Sequence, residues 1–279
     1  MQGVTGRYGS IHTKFMQDYG TNIVAGVTPG KAGQSVHGIA VFNSTEEAVA
    51  ATSARITIAF VPAQYLLGAA LEAIGAGINC LVVITEHVPI RDSLTIFREA
   101  KENECIVIGP NTAGVIIPNK IKLGIMPTSP FTEGSVAVFS RSGTLTYEIA
   151  YHLSNAGLGQ SIALGVGGDP INCTSLVDCL EWVKQHDGTD AVVIIGEIGG
   201  DAEERLAKYI QDTRFPKPVV AYIAGRHAPK EKKMGHAGAI IYGSYGTAES
   251  KIKELSDVGV HVAKKPEEVP LLVNSVLRR

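Results

Sequence analysis

Nowhere does the sequence hold the roughly 20 consecutive apolar residues that a membrane-spanning helix requires, so no membrane role is expected. Charge of either sign is not in excess: 25 Lys and Arg against 27 Asp and Glu leave a formal net charge of −2. That balance excludes the broad basic surface with which proteins hold nucleic acid or an anionic bilayer. Cysteine is scarce. Cys80, Cys105, Cys173 and Cys179 are scattered without CxxC or metal-ligand spacing, which reads as free thiols in a reducing compartment and no metal site. The expected location is the cytoplasm, or the mitochondrial matrix in a eukaryote. Met1 to His12 lacks the basic-then-apolar layout of a secretory signal and reads directly as fold. Low-complexity tracts and solenoid-period repeats are also missing.

What the sequence does have is alternation. Hydrophobic residues make up 45% and charged residues 19%, enough apolar material for a well-buried enzyme and too little charge for disorder. At 279 residues the chain exceeds what one core usually sustains, so two domains are expected. Short β-rich runs (22–26, 56–61, 80–84, 105–109) alternate with helical spacing, as in 63–76, where Leu67, Ala70, Leu71 and Ile74 share one face. The pattern dissolves into Pro, Gly, Asn, Thr and Ser around 118–134, an expected connection between domains. It then restarts with strands at 136–139, 161–166, 191–195, 219–223 and 239–241, and helices at 145–155, 176–185, 203–211 and 248–257. An α/β fold with mainly parallel sheets follows.

The glycines then draw attention. Gly3-Val4-Thr5-Gly6-Arg7-Tyr8-Gly9 precedes a segment with helical character from about Ser10. It is either a plain turn or a loop whose N–H groups and helix terminus meet a phosphate. Only Met1 and Gln2 precede it, too few for the strand that normally feeds such a loop. A second loop, Thr28-Pro29-Gly30-Lys31-Ala32-Gly33, adds a cation where a ribose phosphate would sit. In the second half, Ser142, Gly143 and Thr144 open a helix after a strand, either as an ordinary cap or as an anion cradle. Glu197 lies at the carboxyl end of a very apolar strand, the edge at which α/β sheets bind ligands. His236, in Met234-Gly235-His236-Ala237-Gly238-Ala239, has neighbours almost without side chains, leaving room for a bulky group on the ring. Imidazole Nε2 attacks phosphorus if Nδ1 keeps its proton, and Glu197 is the candidate partner for that proton. The helix start at Ser142–Thr144 would supply donors to the phosphoryl oxygens.

The segments QGVTGRYGSIH, YGTNIVAGVTPGKAG, VVITEHVP, GPNTAG, SRSGTLTYE, GLGQSIALGVGGDPI, GEIGG, KPVVAYIAGRHAP and MGHAGAI resemble, in order, the succinate–CoA ligase α-subunit family. The resemblance implies an N-terminal Rossmann-like CoA-binding domain over 1–120 and a flavodoxin-like ligase domain over 133–279. It implies CoA held by Thr5, Gly6, Arg7, Tyr8, Lys31, Ile84, Thr85 and Glu86, a phosphohistidine at His236, and Tyr147 beside the succinate site. It further implies a separate β subunit of ATP-grasp fold, in an αβ or α2β2 assembly, carrying the nucleotide with Mg²⁺. Succinate, CoA and phosphate would be the small-molecule partners. The sequence departs from the family pattern at Thr112-Ala113, Tyr8, His87 and His227, which puts side-chain contacts of the CoA edge in question but touches neither His236 nor Glu197. Three other readings stand beside this one. They are a related ligase for another acid such as malate, a non-catalytic CoA-binding module, and a serine hydrolase built on Ser142, Glu197 and His236 in that order.

Overall fold

Gln2 is where the two halves of the first sheet meet. In this computed structural model, which describes residues 1–228, 235–241 and 246–278, Gln2 bridges in parallel to Val27 on one side and Ala59 on the other. The Gln2 N–H donates to Ile58 O at 2.9 Å, and Val27 N–H to Met1 O at 2.7 Å. Three residues therefore fill the place of the strand that the sequence lacked. On one side lie β1 (Gly26–Val27) and β3 (Ile39–Phe42), parallel, with β2 (Ser35–Val36) antiparallel on β3. On the other lie β4 (Ile56–Ala59), β5 (Cys80–Val83) and β6 (Ile106–Ile108), all parallel. The connections are α1 (Arg7–Asp18), α2 (Thr45–Thr52), α3 (Ala63–Gly75) and α4 (Ile90–Glu102). This is a Rossmann-like winding about a central crossover strand.

The helices are positioned by apolar stripes. On α3 the buried residues are Leu66, Ala70, Ala73 and Ile74, packed with Leu81, Val83 and Ile96. Leu67 is only partly buried, so the buried face is turned slightly from the one expected. The segment expected to be a connection begins instead with a hairpin, β7 (Gly114–Ile117) and β8 (Ile121–Gly124). Its Gly114 and Gly124 approach so closely that a Cβ on either would lie within 2.4 Å of a backbone oxygen. The glycines that read as loop signals permit strand contact.

The chain falls into two units: Met1–Met126 with Ile171–Thr174, and Pro127–Pro170 with Ser175–Arg279. In the second unit β9 (Glu133–Ser140), β10 (Gln160–Gly165), β11 (Ala191–Glu197), β12 (Val219–Ala224) and β13 (His261–Ala263) pair in parallel in the order β13-β12-β11-β9-β10. That is the flavodoxin-like order. Helices α5 (Gly143–Asn155), α6 (Leu176–Lys184), α7 (Ala202–Thr213), α8 (Ala248–Asp257) and α9 (Val269–Leu277) complete it. Every residue of β11 is buried, as a central parallel strand demands. The expected strand at 239–241 is absent. Ala239 and Ile241 are buried without pairing, and β13 takes the edge position with only three residues. Burial in a glycine-bearing loop and burial in a short strand leave the same apolar trace. Among the described residues, no helix is long and apolar enough to cross a membrane.

Candidate functional site

The parallel sheet of the first unit sends its carboxyl ends into the segments singled out above. Gly3 follows the bridging Gln2 with φ +75°, and a Cβ there would stand 2.3 Å from Phe60 O. Gly9 lies inside α1, where a Cβ would meet Gly3 O at 2.1 Å. Both glycines are thus required for packing. The helix also starts at Arg7 rather than near Ser10, with Gly6 as an extended N-cap that makes no side-chain cap. Arg7 and Tyr8 therefore occupy the first turn, where N–H groups have no intrahelical acceptor, and both side chains are exposed. Packing glycine and anion-ready helix start are one feature.

Thr5 Oγ1 donates to Thr28 Oγ1 at 3.2 Å, tying this loop to the one that follows β1. Asn43 Oδ1 accepts the N–H groups of Gly30 and Ala32 at 2.9 and 3.3 Å, shaping the turn that exposes Lys31. Ile84, Thr85 and Glu86 follow β5, with Thr85 Oγ1 donating to Val61 O at 2.7 Å. Glu86 lies 3.8 Å from His87 Nε2 on the exposed rim. All eight residues expected at the CoA site fall after the carboxyl ends of strands in one sheet or at the start of α1.

In the second unit the structure brings His236 to Glu197. Nδ1 lies 2.9 Å from Oε2 and 3.1 Å from Oε1. A carboxylate only accepts, so Nδ1 carries the proton and Nε2 presents its lone pair. The Glu197 side chain is 9% exposed and that of His236 32%, so the ring is partly open while its carboxylate partner is buried. The hydrogen bond that His236 Nδ1–H donates to Glu197 is the largest of the influences that raise the His236 pKa. Burial and the Arg141 charge oppose it, while the charges of Glu197 and Asp169 add to it. Gly168, just after β10, lies directly against the ring, and a Cβ there would be 2.5 Å from Cγ. Gly199 (φ +87°) lets the loop after β11 approach Gly238 O to 2.2 Å of where a Cβ would stand. Met234, part of the same sequence motif, lies outside the described residues.

Ser142 is the N-cap of α5, its Oγ accepting the Leu145 N–H at 3.4 Å. The ordinary capping role is therefore present, while Gly143 and Thr144 fall in the first turn with their N–H groups facing outward from the helix end. Tyr147 is half-buried on the same helix, and burial pushes its hydroxyl pKa up.

Arg141, next to Ser142 in the chain, carries no motif that points to a role. Its guanidinium is 7% exposed and donates to Glu197 O, Gly199 O and Glu203 Oε1 at 3.2, 3.0 and 3.3 Å. Its other terminal nitrogen lies 3.5 Å from Glu197 Oε1. Glu203 and Lys251, also outside any such motif, are fully buried and paired. The helical stretches containing them carry ordinary surface-like charge patterns, so only Arg141, flanking the Ser142 turn, offered a signal.

Two family models match, the CoA binding domain over residues 1–87 and CoA-ligase over residues 139–261. The succinate–CoA ligase [ADP-forming] subunit alpha of Methanothermobacter thermautotrophicus is 52% identical over 96% of this chain and 91% of its own length. The chain belongs to the succinate–CoA ligase α-subunit family. Subunit alpha 1 of Archaeoglobus fulgidus is 49% identical over 99% of this chain and 94% of its own. Among solved structures, ATP citrate lyase from Methanothrix soehngenii in complex with citrate and coenzyme A superposes with a TM-score of 0.90 at 22% identity. It is matched over 99% of this chain, which spans about half (49%) of that longer chain, and the likeness concerns the fold.

Proposed function

We propose that this chain is the CoA-binding, phosphohistidine-bearing α subunit of an ADP-forming succinate–CoA ligase. It works with a β subunit of ATP-grasp fold that carries the nucleotide and its Mg²⁺. The observation that carries this reading is the two-point contact of Glu197 with His236 Nδ1, with Gly168 beneath the ring. That arrangement makes Nε2 a phosphoryl acceptor and places a negative charge beside the ring as it becomes cationic.

A phosphate oxygen attacks the succinyl-CoA carbonyl, a C–O bond forms, and the C–S bond breaks with its electron pair leaving on CoA. Nε2 of His236 then attacks phosphorus. The N–P bond forms, and the P–O bond to the acyl group breaks to release succinate. A terminal oxygen of ADP finally takes the phosphoryl group from the ring. In this scheme Thr5, Gly6, Arg7, Tyr8, Lys31, Ile84, Thr85 and Glu86 hold CoA. The first turn of α5, with Ser142, Gly143 and Thr144, donates to the phosphoryl oxygens, and Tyr147 borders the acid.

The test uses the chain co-purified with its β partner, Mg²⁺ and ATP labelled at the γ-phosphate. Wild type acquires a label stable to alkali and lost in mild acid, the signature of a P–N bond. The His236→Asn protein does not. An acid-labile label persisting in that variant places the acceptor elsewhere. A panel of acids in the CoA-dependent assay then checks succinate against malate.

A further inference from the structure

Behind Glu197 runs a chain of buried charges that the reaction scheme leaves unused. Lys251, on α8, is fully buried and contacts Glu203, Glu204 Oε2 at 2.8 Å and Gly200 O at 3.0 Å. Glu203, at the first turn of α7, accepts from Lys251 through Oε2, and through Oε1 from Arg141 at 3.3 Å and the Glu197 N–H at 3.1 Å. Arg141 then reaches Glu197, and Glu197 reaches His236. Charge alternates along the whole path. Burying so many ions costs stability that apolar residues would not, so a relay of this length in a core calls for a reason beyond folding.

We propose that Glu203 and Lys251 are positioning residues for the phosphoryl-accepting histidine. Through Arg141 they fix the Glu197 carboxylate and set the charge that the His236 ring experiences. The proposal rests on the reading of His236 as the acceptor. The Glu203 Oε1 atom holds two things at once, the Arg141 guanidinium and the backbone N–H of Glu197 itself. A displacement of Glu203 therefore moves both the carboxylate-bearing residue and its counter-ion. Among the described residues, the charged groups facing the pair come from several neighbouring elements: Arg141 after β9, Asp169 after β10, Glu197 ending β11, Glu203 and Glu204 on α7, and Lys251 on α8. Carboxylates outnumber cations in that set, which favours the positive charge that the ring gains once Nε2 bonds to phosphorus. Burial would push the Glu203 carboxyl up, but Arg141, Lys251 and their hydrogen bonds hold it below its ordinary value, so its charge is permanent near neutrality.

The experiment is an NMR titration of the His236 ring in the full chain, assigned by its loss in His236→Asn. Glu203→Gln removes a negative charge, so Arg141 and Lys251 bear on the ring less compensated, and the midpoint falls by about one unit. Lys251→Met removes a positive charge, and the midpoint rises by a similar amount. The double variant Glu203→Gln/Lys251→Met removes one charge of each sign, leaves Arg141 paired with Glu197, and strips its lysine only from Glu204, whose side chain is 19% exposed. It therefore serves if either single variant does not fold. Its midpoint stays within a few tenths of wild type, roughly a third of the single shifts. In the complex, the pH profile of His236 phosphorylation moves with each midpoint. Single variants that leave the midpoint unchanged, or both move it the same way, overturn the proposal, as does a full-unit shift in the double variant. The titration needs neither partner nor acyl substrate. An unlabelled wild-type His236 in the complex would overturn the acceptor reading and the phosphoryl role built on it, while the titration separately decides whether Glu203 and Lys251 set the charge at the ring.

Discussion

At the scale of single residues, the site works by opposing influences on one imidazole. The Glu197 hydrogen bond wins over burial and Arg141, so His236 stays protonated above the ordinary histidine value of about 6.5. Only the neutral ring has a free Nε2 lone pair. Phosphorylation by the partner should therefore rise with pH through a midpoint above about 6.5, and Glu197→Gln should lower that midpoint while slowing the transfer by roughly 10²–10⁴. Rapid-quench labelling across pH measures both. The linked stability has the opposite sense. Because the folded pKa is raised, the His236–Glu197 pair stabilises fully below the unfolded value, and that contribution is lost as pH climbs through the folded one. Gly168→Ala gives a purely steric test. Its Cβ would lie 2.5 Å from Cγ of the ring, so the ring must shift. Misplacement on that scale commonly costs about 10²-fold, and labelling should fall accordingly while circular dichroism stays native.

At the scale of elements, two helix glycines separate propensity from packing. An alanine is worth up to about 1 kcal/mol over glycine in a helix interior. On α3, a Cβ at Gly68 meets nothing within 4 Å, so Gly68→Ala should raise the melting temperature of the chain. On α1, a Cβ at Gly9 would stand 2.1 Å from Gly3 O, and overpacking of about 1–3 kcal/mol outweighs the same gain. Gly9→Ala should lower stability, displace the first turn of α1 and weaken CoA binding in calorimetry. Lys31→Ala should weaken CoA binding without affecting stability, because Lys31 is exposed at a turn held by Asn43 rather than by its own side chain. That loss should be greatest at low ionic strength. Unchanged affinity would remove Lys31 from the site.

At the scale of the molecule, the proposed scheme divides the labour between the two units: one sheet edge bears the loops proposed to hold CoA, and the other bears His236, the proposed phosphoryl acceptor. Supplied with succinyl-CoA, phosphate and ADP, the chain alone should make no ATP, and adding the β partner should restore synthesis, as a luciferase assay would show. The sequence by itself determined much of this. Alternating apolar runs specify parallel α/β sheets because burial on both faces leaves no other periodicity. Glu197 and His236 were legible because a carboxylate ending an apolar strand, and a histidine among glycines, are both unusual for a core. The tertiary structure decided what no local pattern encodes. Residues 1–3 stand in for a strand because Val27 bonds to Met1 and Gly3 on one side and Ile58 and Phe60 bond to Gln2 on the other, and 239–241 did not pair, because its burial lies in a loop. Glu203 and Lys251 look like surface residues of ordinary helices, yet α7 and α8 turn them inward toward Arg141. Such a relay joins residues from separate strands and helices, and whether a charge is solvated or paired in a core depends on what the rest of the chain folds around it.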